Sequence, residues 1–389
     1  MNFLNGKRKS AKWVVAVAVA AATCSVPVAV ASTSFASSTP SGVAAAQANL
    51  TKFSNLPKWA SPGPAIKAKV IAKGKTVMVV PYDSAIPYNV AFAQAVQAAD
   101  KLAGLKTIVY QTNGSTSSWA AGVELGITDH VAAIDLISGV ATSFIEPQIK
   151  QATRAGIAVI GSTNNDPSQP SPSYLTAVVP LNYEQAGMLE ADQAVVDTNG
   201  ACNVLIITST EVPPSPPMTQ EVNTELTNDC TTLTVHTLNV QPADWGTGIP
   251  SGVASALTAD PGINYVLPNY DSEASLAQAG ITQAGKKAGS AAGDVGIASF
   301  NGTPGPMALV QDGAMAMNAG EDITWAGYAT TDETLRVIGH AHGKVRTRNE
   351  HIPLRVFNSS NATAVGVPPN LTSGYGTAYK GYLKLWGLK

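Results

Sequence analysis

Short apolar runs alternate with amphipathic stretches along the chain from residue 76 onward. Such runs are typical of strands buried on both faces, and apolar residues spaced three and four apart indicate helices. The first set of predicted strands comprises residues 77–80, 107–110, 132–137 and 158–160. The helices predicted between them comprise residues 90–102, 118–129 and 146–155. This alternation predicts a parallel sheet with helices on both faces.

The alternation restarts after a break near residue 180. The second set of predicted strands comprises residues 203–208, 233–238, 265–267 and 296–299. The predicted helices of this half comprise residues 183–197, 218–228, 250–259 and 272–288. Two successive sets of strand–helix units predict two α/β lobes of similar design. A further helix is predicted near 331–343, and a tail rich in Gly, Pro and Asn follows, with an amphipathic segment at 379–386.

Residues 1–31 have the composition of a secretory signal peptide. A basic stretch precedes the apolar run 13–22, and Ala29-Val30-Ala31 fits a small-residue cleavage site. The basic residues are Lys7, Arg8, Lys9 and Lys12. We therefore expect an exported protein, periplasmic or on the cell surface. Two alternatives stay open: the run is an uncleaved membrane anchor, or Cys24 carries a lipid, although Thr23 fits a lipidation motif poorly.

Charge narrows the range of partners. The chain has 24 Lys+Arg and 26 Asp+Glu, and the predicted signal peptide holds four of the basic residues and no acidic residue. The remainder carries 20 basic against 26 acidic residues, a formal net charge of −6. Since no block of Lys and Arg follows the signal peptide, we expect no nucleic-acid partner. Residues 32–73, rich in Ala, Ser, Pro and Lys, are predicted to form a tether ahead of the folded part.

Cys202 and Cys230 form an even pair once the signal peptide is removed, as expected in an oxidising compartment. Each precedes a predicted strand, and successive parallel strands of a β-α-β unit begin at the same sheet edge, about 5 Å apart. That spacing suits a disulfide, which would stabilise the fold by about 3–4 kcal/mol. Two independent buried thiols are the alternative, and a metal site built from two isolated cysteines is not expected.

The residues that follow the predicted strands are candidate ligand contacts, because open parallel sheets bind ligands at the carboxyl ends of their strands. These positions are 81–89, 112–117, 138–139, 162–165, 209–218, 245, 269–271 and 301–302. They hold Asn, Ser, Thr, Tyr and Trp with few charges. This mixture suits a small, neutral, hydroxylated or amide-like molecule.

Motifs for catalysis and cofactor binding are missing from the sequence. It contains no Walker loop, no G-x-S-x-G and no H-E-x-x-H. Gly246-Thr-Gly248 followed by Gly252 departs by one position from the dinucleotide-binding spacing. His340-Ala-His342 has the spacing of a metal pair, although a surface or capping role is favoured. We expect no enzyme activity, no catalytic residues, no cofactor and no metal.

Six short motifs occur in the order and spacing of a known family. They are Pro87-Tyr88, 148–159 (QIKQATRAGIAV), 182–187 (NYEQAG), 241–245 (QPADW), 269–271 (NYD) and 300–303 (FNGT). Over residues 74–356 the chain resembles the type I periplasmic substrate-binding proteins of ABC importers, in particular the ribose/galactose-like sugar-binding branch. The resemblance implies an α/β fold with two similar doubly wound parallel-sheet lobes. A three-crossover hinge would join the lobes, which would close on one sugar-sized ligand.

The resemblance also implies domain boundaries. Residues 74–180 and 327–356 would form the N-terminal lobe and residues 181–326 the C-terminal lobe. Residues 357–389 would be a tail packing on the lobes.

Nine ligand contacts carry over by position from the family. They are Tyr82, Tyr88, Asn89, Ser162, Thr163, Asn164, Trp245, Asn269 and Asn301. For three of them a structural role is the alternative: Tyr88 as a core residue, Trp245 as a lobe-packing aromatic and Asn301 as a turn former.

The chain departs from the family at its charged contacts. Thr163-Asn164 stand where the family has an Asp-Arg pair, and Asn301 stands for an Asp. The expected Arg of the second lobe falls near Glu221-Val222, and the Gln of the last crossover aligns with Gly327. Charge-assisted hydrogen bonds are about twice as strong as neutral ones. Their loss argues against ribose or galactose and favours a less hydroxylated or more apolar solute; an amine or a polyol stays open.

The sequence therefore predicts a monomeric solute-binding protein that delivers a small neutral solute to the membrane permease of an ABC importer. The alternative is a ligand-sensing partner of a membrane receptor or kinase, built on the same fold. A DNA-binding repressor with this two-lobe core would need an N-terminal helix-turn-helix where the export signal lies. An enzyme is disfavoured because no catalytic constellation was found.

Overall fold

The computed structural model describes residues 41–339, 349–371 and 374–388. The predicted signal peptide, its cleavage site and the possible lipid attachment at Cys24 lie outside these residues, as does His340-Ala-His342. Within the described ranges, no helix is both long enough and apolar enough to cross a membrane.

The first sheet contains five parallel strands in the order β2-β1-β3-β4-β5. They are β1 (Thr76–Pro81), β2 (Lys106–Val109), β3 (Ala133–Ile137), β4 (Ala158–Ser162) and β5 (Ala177–Val179). Every residue of β3 is buried, because helices cover both faces of the sheet centre.

The second sheet contains six strands in the order β11-β10-β9-β8-β6-β7. They are β6 (Ala201–Thr208), β7 (Thr232–Asn239), β8 (Tyr265–Pro268), β9 (Gly296–Asn301), β10 (Met317–Glu321) and β11 (Leu354–Asn358). All pairs are parallel except β10 with β11 at the sheet edge. The two parallel-dominated sheets confirm the predicted fold class.

Twelve α-helices are found in the described part of the chain. They are α1 (Ser41–Ser54), α2 (Ala68–Ala72), α3 (Pro87–Ala103), α4 (Thr116–Thr128), α5 (Glu146–Arg154), α6 (Tyr183–Asp197), α7 (Ser215–Asp229), α8 (Trp245–Ala259), α9 (Asp271–Gln283), α10 (Pro304–Gln311), α11 (Ile323–Ile338) and α12 (Gly381–Leu385). We call the first sheet with α2–α5 and α11 the first lobe, and the second sheet with α6–α10 the second lobe. The chain passes between the lobes after β5, after β10 and between α11 and β11.

The eight strands predicted from the sequence are present, whereas β5, β10 and β11 were not predicted. β10 (Met-Asn-Ala-Gly-Glu) is fully buried yet contains two polar residues and a glycine, so it lacks an apolar run. β5 is only three residues long and gives too short a pattern to stand out. The strand β11 corrects one boundary, because residues 354–356 were assigned to the first lobe and belong to the second sheet.

Residues 41–73 correct the prediction of a tether. They contain α1, which packs against α6 of the second lobe, and α2, which packs against α11 of the first lobe. Val43, Ala46 and Leu50 are buried at helical spacing on α1. Gly42 lets α1 approach the end of α7 closely, since a Cβ at this position would lie 2.5 Å from the Asp229 carbonyl oxygen. The small residues that give this segment a low-complexity composition are the ones that let its helix pack closely.

The predicted disulfide is present. Cys202 and Cys230 are bonded, with their Cα atoms 6.0 Å apart. Cys202 is the second residue of β6 and pairs with Leu233 of β7, and Cys230 lies just before β7. The disulfide therefore links the amino ends of these two strands.

The described part of the tail packs against helix α11. The Trp386 ring stacks on Tyr328, with ring centroids 5.3 Å apart, and its indole N–H donates to Asp332 at 2.7 Å. Tyr382 packs edge-on against Trp59 of the N-terminal segment. The Trp59 region of the N-terminal segment and the tail therefore meet on the first lobe.

Candidate functional site

A cleft lies where the carboxyl ends of the two sheets face each other. It contains about 440 Å³ of space between atoms, part of it open to solvent. The first lobe lines it with Tyr82, Ile86, Tyr88, Asn89, Ser138 and Gly139. The second-lobe side contributes Tyr183, Val212, Pro214, Trp245, Tyr270, Ser272 and Asn301. The lining contains five aromatic rings and, among the described residues, no charged side chain.

The polar atoms of four of these aromatic residues bond to the protein rather than facing the cleft unpaired. The bonds join Tyr88 OH to Glu321 Oε1 (2.6 Å), Tyr183 OH to the Thr163 carbonyl (2.5 Å), Trp245 Nε1 to Ser209 Oγ (2.8 Å) and Tyr270 OH to Ser215 Oγ (2.8 Å). These bonds fix the ring orientations. Ring surface is therefore what these residues chiefly offer a ligand.

The strand ends around the cleft contain unusual backbone conformations. Ser138, Thr163 and Asn301 have positive φ angles of 68°, 54° and 128° although none is glycine. They follow or end β3, β4 and β9. Such conformations cost about 1–3 kcal/mol each and cluster at functional sites. The observation marks these three strand ends as the positions where strain is concentrated around the cleft.

Five of the nine ligand contacts predicted from the sequence line the cleft. They are Tyr82, Tyr88, Asn89, Trp245 and Asn301. Asn89 also donates its amide N–H to the Asp83 carbonyl at 2.9 Å, which orients it at the start of α3. The arrangement brings first-lobe and second-lobe residues to one cleft.

Ser162, Thr163 and Asn164 lie behind the cleft wall instead of lining it. Asn164 Oδ1 accepts the backbone N–H groups of Gly139 (2.6 Å) and Val140 (3.0 Å), and its amide donates to the Leu136 carbonyl at 2.9 Å. Thr163 Oγ1 accepts the Ser138 N–H at 3.2 Å. The Thr163 and Asn164 side chains thus hold the loop after β3 in the position from which it lines the cleft, whereas the Ser162 hydroxyl bonds no described residue.

Asn269 is also turned away from the cleft. Its amide donates to Thr219 Oγ1 at 3.0 Å and to Thr208 Oγ1 and the Ser215 carbonyl at 3.3 Å, and the residue is fully buried. Asn269 therefore braces the start of α7 within the second lobe. Gly327, which aligns with the family's Gln, lies on α11 against Ala95, where a Cβ would come within 2.6 Å of the Ala95 carbonyl carbon.

The family motifs did not single out several of the lining residues. Ser138 and Gly139 follow a predicted strand, and Tyr183 and Tyr270 lie inside matched motifs, so their positions were available from the sequence. Their residue types were not informative, because a Tyr beside an apolar strand is as often core as ligand contact. Val212 lies within the candidate stretch 209–218, but neither its residue type nor a motif singled it out.

Carboxyl groups lie buried behind the cleft. Burial raises the pKa of Glu321 to about 8, against the lowering effect of the hydrogen bond from Tyr88. Burial likewise raises the pKa of Glu273 to about 8 and that of Asp271 to about 7. Near neutral pH, burial therefore favours the protonated form of Glu273 and Glu321.

The lobes touch each other beside the cleft. A Cβ on Gly139 of the first lobe would lie 3.0 Å from Val212 Cγ1 of the second lobe, and Gly139 has φ +89°. Tyr88 on α3 reaches Glu321 at the end of β10, so a hydrogen bond also joins the lobes.

One group of acidic side chains has oxygens close together in the described part of the chain. Asp192 on α6 and Glu225 and Asp229 on α7 place one oxygen each within 4.8 Å of the others. None of the three lines the cleft.

The fold, with its cleft between two α/β lobes, defines a two-lobe solute-binding protein. Residues 77–341 match the family model described as periplasmic binding protein domain, and the chain belongs to that family. The neighbours found among solved structures share the two-lobe α/β fold that the sequence predicted. No curated protein matches the chain.

Solved structures with the same fold include three sugar- or polyol-bound proteins. One is the arabinose ABC transporter binding component from Shewanella sp. ANA-3, bound to L-arabinofuranose (19% identity, 80% of this chain and 98% of that chain, TM-score 0.65). A Mycobacterium smegmatis protein is in complex with β-D-fucofuranose (17%, 76% and 94%, 0.64). A Bacillus halodurans ABC transporter solute-binding protein holds myo-inositol (16%, 76% and 99%, 0.63). At these identities the likeness concerns the fold.

Proposed function

We propose that the protein binds one small uncharged molecule, sugar-like or less hydroxylated, between its lobes outside the cytoplasm and delivers it to the permease of an ABC importer. The observation that carries this proposal is the cleft itself, a space of about 440 Å³ lined by five aromatic rings and by neutral polar side chains. Aromatic faces stack on C–H surfaces, and amides and hydroxyls bond neutral polar groups. The family and the sugar- and polyol-bound neighbours are consistent with this class of ligand.

Ligand capture would be coupled to lobe closure. A ligand that touches Tyr82 and Tyr88 on one lobe and Trp245 and Asn301 on the other has its full set of contacts only when the lobes are together. Such a ligand shifts the population toward the closed form by its differential affinity for the two forms. A permease that recognises the closed surface would then receive loaded protein in preference to empty protein.

The assignment of the remaining predicted contacts follows from their hydrogen bonds. Thr163 and Asn164 would act indirectly, by holding the loop after β3, and Asn269 by bracing α7; Ser162 lies buried at the end of β4, and its hydroxyl bonds no described residue. Tyr183, Tyr270 and Ser138 join the contacts that the sequence predicted. The protein would act as a monomer, without cofactor, metal or catalysis, after export by its signal peptide or anchored through a lipid on Cys24.

A thermal-shift screen of the exported protein tests the binding proposal. The panel comprises pentoses, hexoses, polyols, amino acids and small aromatic acids. A ligand at a hundredfold excess over its Kd adds about 2.7 kcal/mol of stability, which a melting curve detects readily. Stabilisation by uncharged compounds alone would support the proposal, and stabilisation only by charged amino acids or acids would contradict it.

Delivery needs a separate test. The ATPase activity of the cognate permease complex in liposomes should rise when the loaded protein is added and rise less with the empty protein. Equal stimulation by both forms would contradict delivery and leave binding intact.

A further inference from the structure

The cleft offers a ligand few hydrogen-bonding groups. The hydroxyl protons of Tyr88 and Tyr183 and the indole N–H of Trp245 are donated to protein acceptors, and the Tyr270 hydroxyl bonds to Ser215. A donor committed in this way bonds a ligand only by giving up an existing hydrogen bond. Most of the aromatic wall therefore presents ring surface rather than polar atoms.

Ser138 and Asn301 are different. Ser138 follows β3 in the first lobe and Asn301 ends β9 in the second lobe, and both line the cleft. They are only 9% and 3% exposed. No described residue forms a hydrogen bond with Ser138 Oγ, and none bonds the Asn301 amide. Polar groups of buried residues are nearly always paired, so an unpaired hydroxyl and an unpaired amide in the lining of one cleft point to a ligand as their partner.

The backbone at these two positions supports the same conclusion. Ser138 and Asn301 have φ angles of 68° and 128°, in a region that favours glycine. Glycine would relieve this strain, yet both positions carry a polar side chain that bonds nothing in the described protein. A strained backbone conformation at a residue whose side chain makes no hydrogen bond within the protein is typical of functional sites.

We propose that Ser138 and Asn301 are the specificity-determining polar contacts of this cleft, and that its ligand is an uncharged ring compound with few hydroxyl or carbonyl groups. This inference rests on the proposed solute-binding function and narrows its ligand class. Trp245 and Tyr270, with ring centroids 6.2 Å apart, form one continuous aromatic wall against which an apolar ring face packs. The polar edge of the ring then meets the Ser138 hydroxyl and the Asn301 amide.

The shortage of free polar groups makes heavy hydroxylation unfavourable. Tyr82, Asn89 and Ser272 add a few polar atoms to the lining, none of them charged. A ring that carries a hydroxyl on every carbon needs more partners than these groups supply. Each ligand hydroxyl buried without a partner lowers the affinity about tenfold or more. A ring with two or three polar groups avoids this loss.

Isothermal titration calorimetry with a series of six-membered carbocycles tests the inference on the full exported protein. The probes are cyclohexanol, cis-cyclohexane-1,2-diol, cyclohexane-1,2,3-triol and myo-inositol, which share a ring and differ in hydroxyl number. L-arabinose is added as a representative sugar. We expect the diol or triol to bind at least tenfold more tightly than myo-inositol or L-arabinose.

Variants locate the polar contacts. Ser138→Ala and Asn301→Ala should each weaken binding of the best diol or triol about tenfold, the loss of one neutral hydrogen bond. Ser138→Gly and Asn301→Gly remove the same atoms and relieve the positive φ, so they keep the test valid if an alanine variant folds poorly. Thr330→Val is the matched control, because Thr330 Oγ1 on α11 is also buried without a partner and lies outside the cleft lining. It should leave affinity unchanged.

The outcomes separate the inference from the function on which it rests. Tighter binding of myo-inositol or L-arabinose would keep the solute-binding function and overturn the inferred ligand class. Unchanged diol affinity in both the alanine and the glycine variants would overturn the role of Ser138 and Asn301. Absence of binding to every uncharged compound, in this series and in the wider panel, would overturn the proposed function together with the inference.

Discussion

Two asparagines at the carboxyl ends of strands show how the same residue type serves opposite purposes in this molecule. Asn164 follows β4 and Asn301 ends β9, and they are 2% and 3% exposed. The Asn164 amide makes three hydrogen bonds to the backbone around β3. The Asn301 amide makes none with the described residues. The exposed fraction alone does not distinguish a structural amide from a candidate ligand contact. The number of hydrogen bonds that the amide already makes within the protein does.

The largest expected change in the free energy of unfolding comes from the disulfide, which involves neither asparagine. It sets the scale for the smaller changes below. Replacing Cys202 and Cys230 by serine should lower the free energy of unfolding by about 3–4 kcal/mol, because the unfolded chain gains the entropy of an open loop. Urea denaturation measures the change. Ligand affinity should stay the same, since neither cysteine lines the cleft. An unchanged unfolding free energy would contradict a stabilising role for the bond.

Asn164→Ala is expected to lower the free energy of unfolding by about 3 kcal/mol, since it leaves the buried N–H groups of Gly139 and Val140 without their acceptor. Asn301→Ala should change it by less than about 0.5 kcal/mol, because no internal bond is lost. Urea denaturation of the two variants side by side gives the comparison directly. Equal losses would show that Asn301 is also structural.

Trp245→Ala should weaken binding of the tightest compound in the screen by about 2 kcal/mol, as for a buried aromatic anchor. Trp245→Phe is the matched variant, because it keeps a ring against Tyr270 and loses the indole N–H bonds to Ser209 Oγ and the Val240 carbonyl. It should keep most of the affinity. Calorimetry that finds the alanine variant unchanged would remove Trp245 from the site.

A smaller effect concerns Glu321, which is bonded on one oxygen and unpaired on the other. Its pKa, like that of Glu273, is raised from 4.5 to about 8 by burial. The native protein therefore keeps protons that the unfolded chain releases, so these groups make stability fall as pH rises from about 4.5 to 8. Melting temperatures across this window should decline, and Glu321→Gln should reduce the decline. A variant slope equal to that of the parent protein would contradict this assignment.

The sequence predicted the strand–helix alternation well, because strands such as β3 and β6 are largely apolar and their crossover helices have a regular period. It missed β10, whose burial is decided by its neighbours in the sheet rather than by its own composition. It also misread α1, whose small residues suit a packed helix as well as a flexible tether. The local pattern of apolar residues identifies the strands and helices that have an apolar face. It does not show which polar segments become buried by neighbouring elements of the fold.

The candidate site was predictable only in part for a related reason. Tyr88 and Trp245 could be carried over because they stand at helix starts within matched motifs. Asn164 and Asn301 could not be told apart, since both follow apolar strands. Their difference depends on whether the N–H groups of the loop after β3 turn toward the side chain, which is a property of the folded loop.

The packing of the N-terminal segment limits how the molecule can move. Arg355 of the second lobe donates to the Ser54 carbonyl, and Trp59 packs on Trp325 of α11, with ring centroids 5.4 Å apart. Only residues 55–58 separate these two attachments. While both contacts are kept, the lobes can separate at this point only as far as four linking residues can extend. The N-terminal segment thus acts as a short covalent link between the two lobes, in addition to the chain crossings.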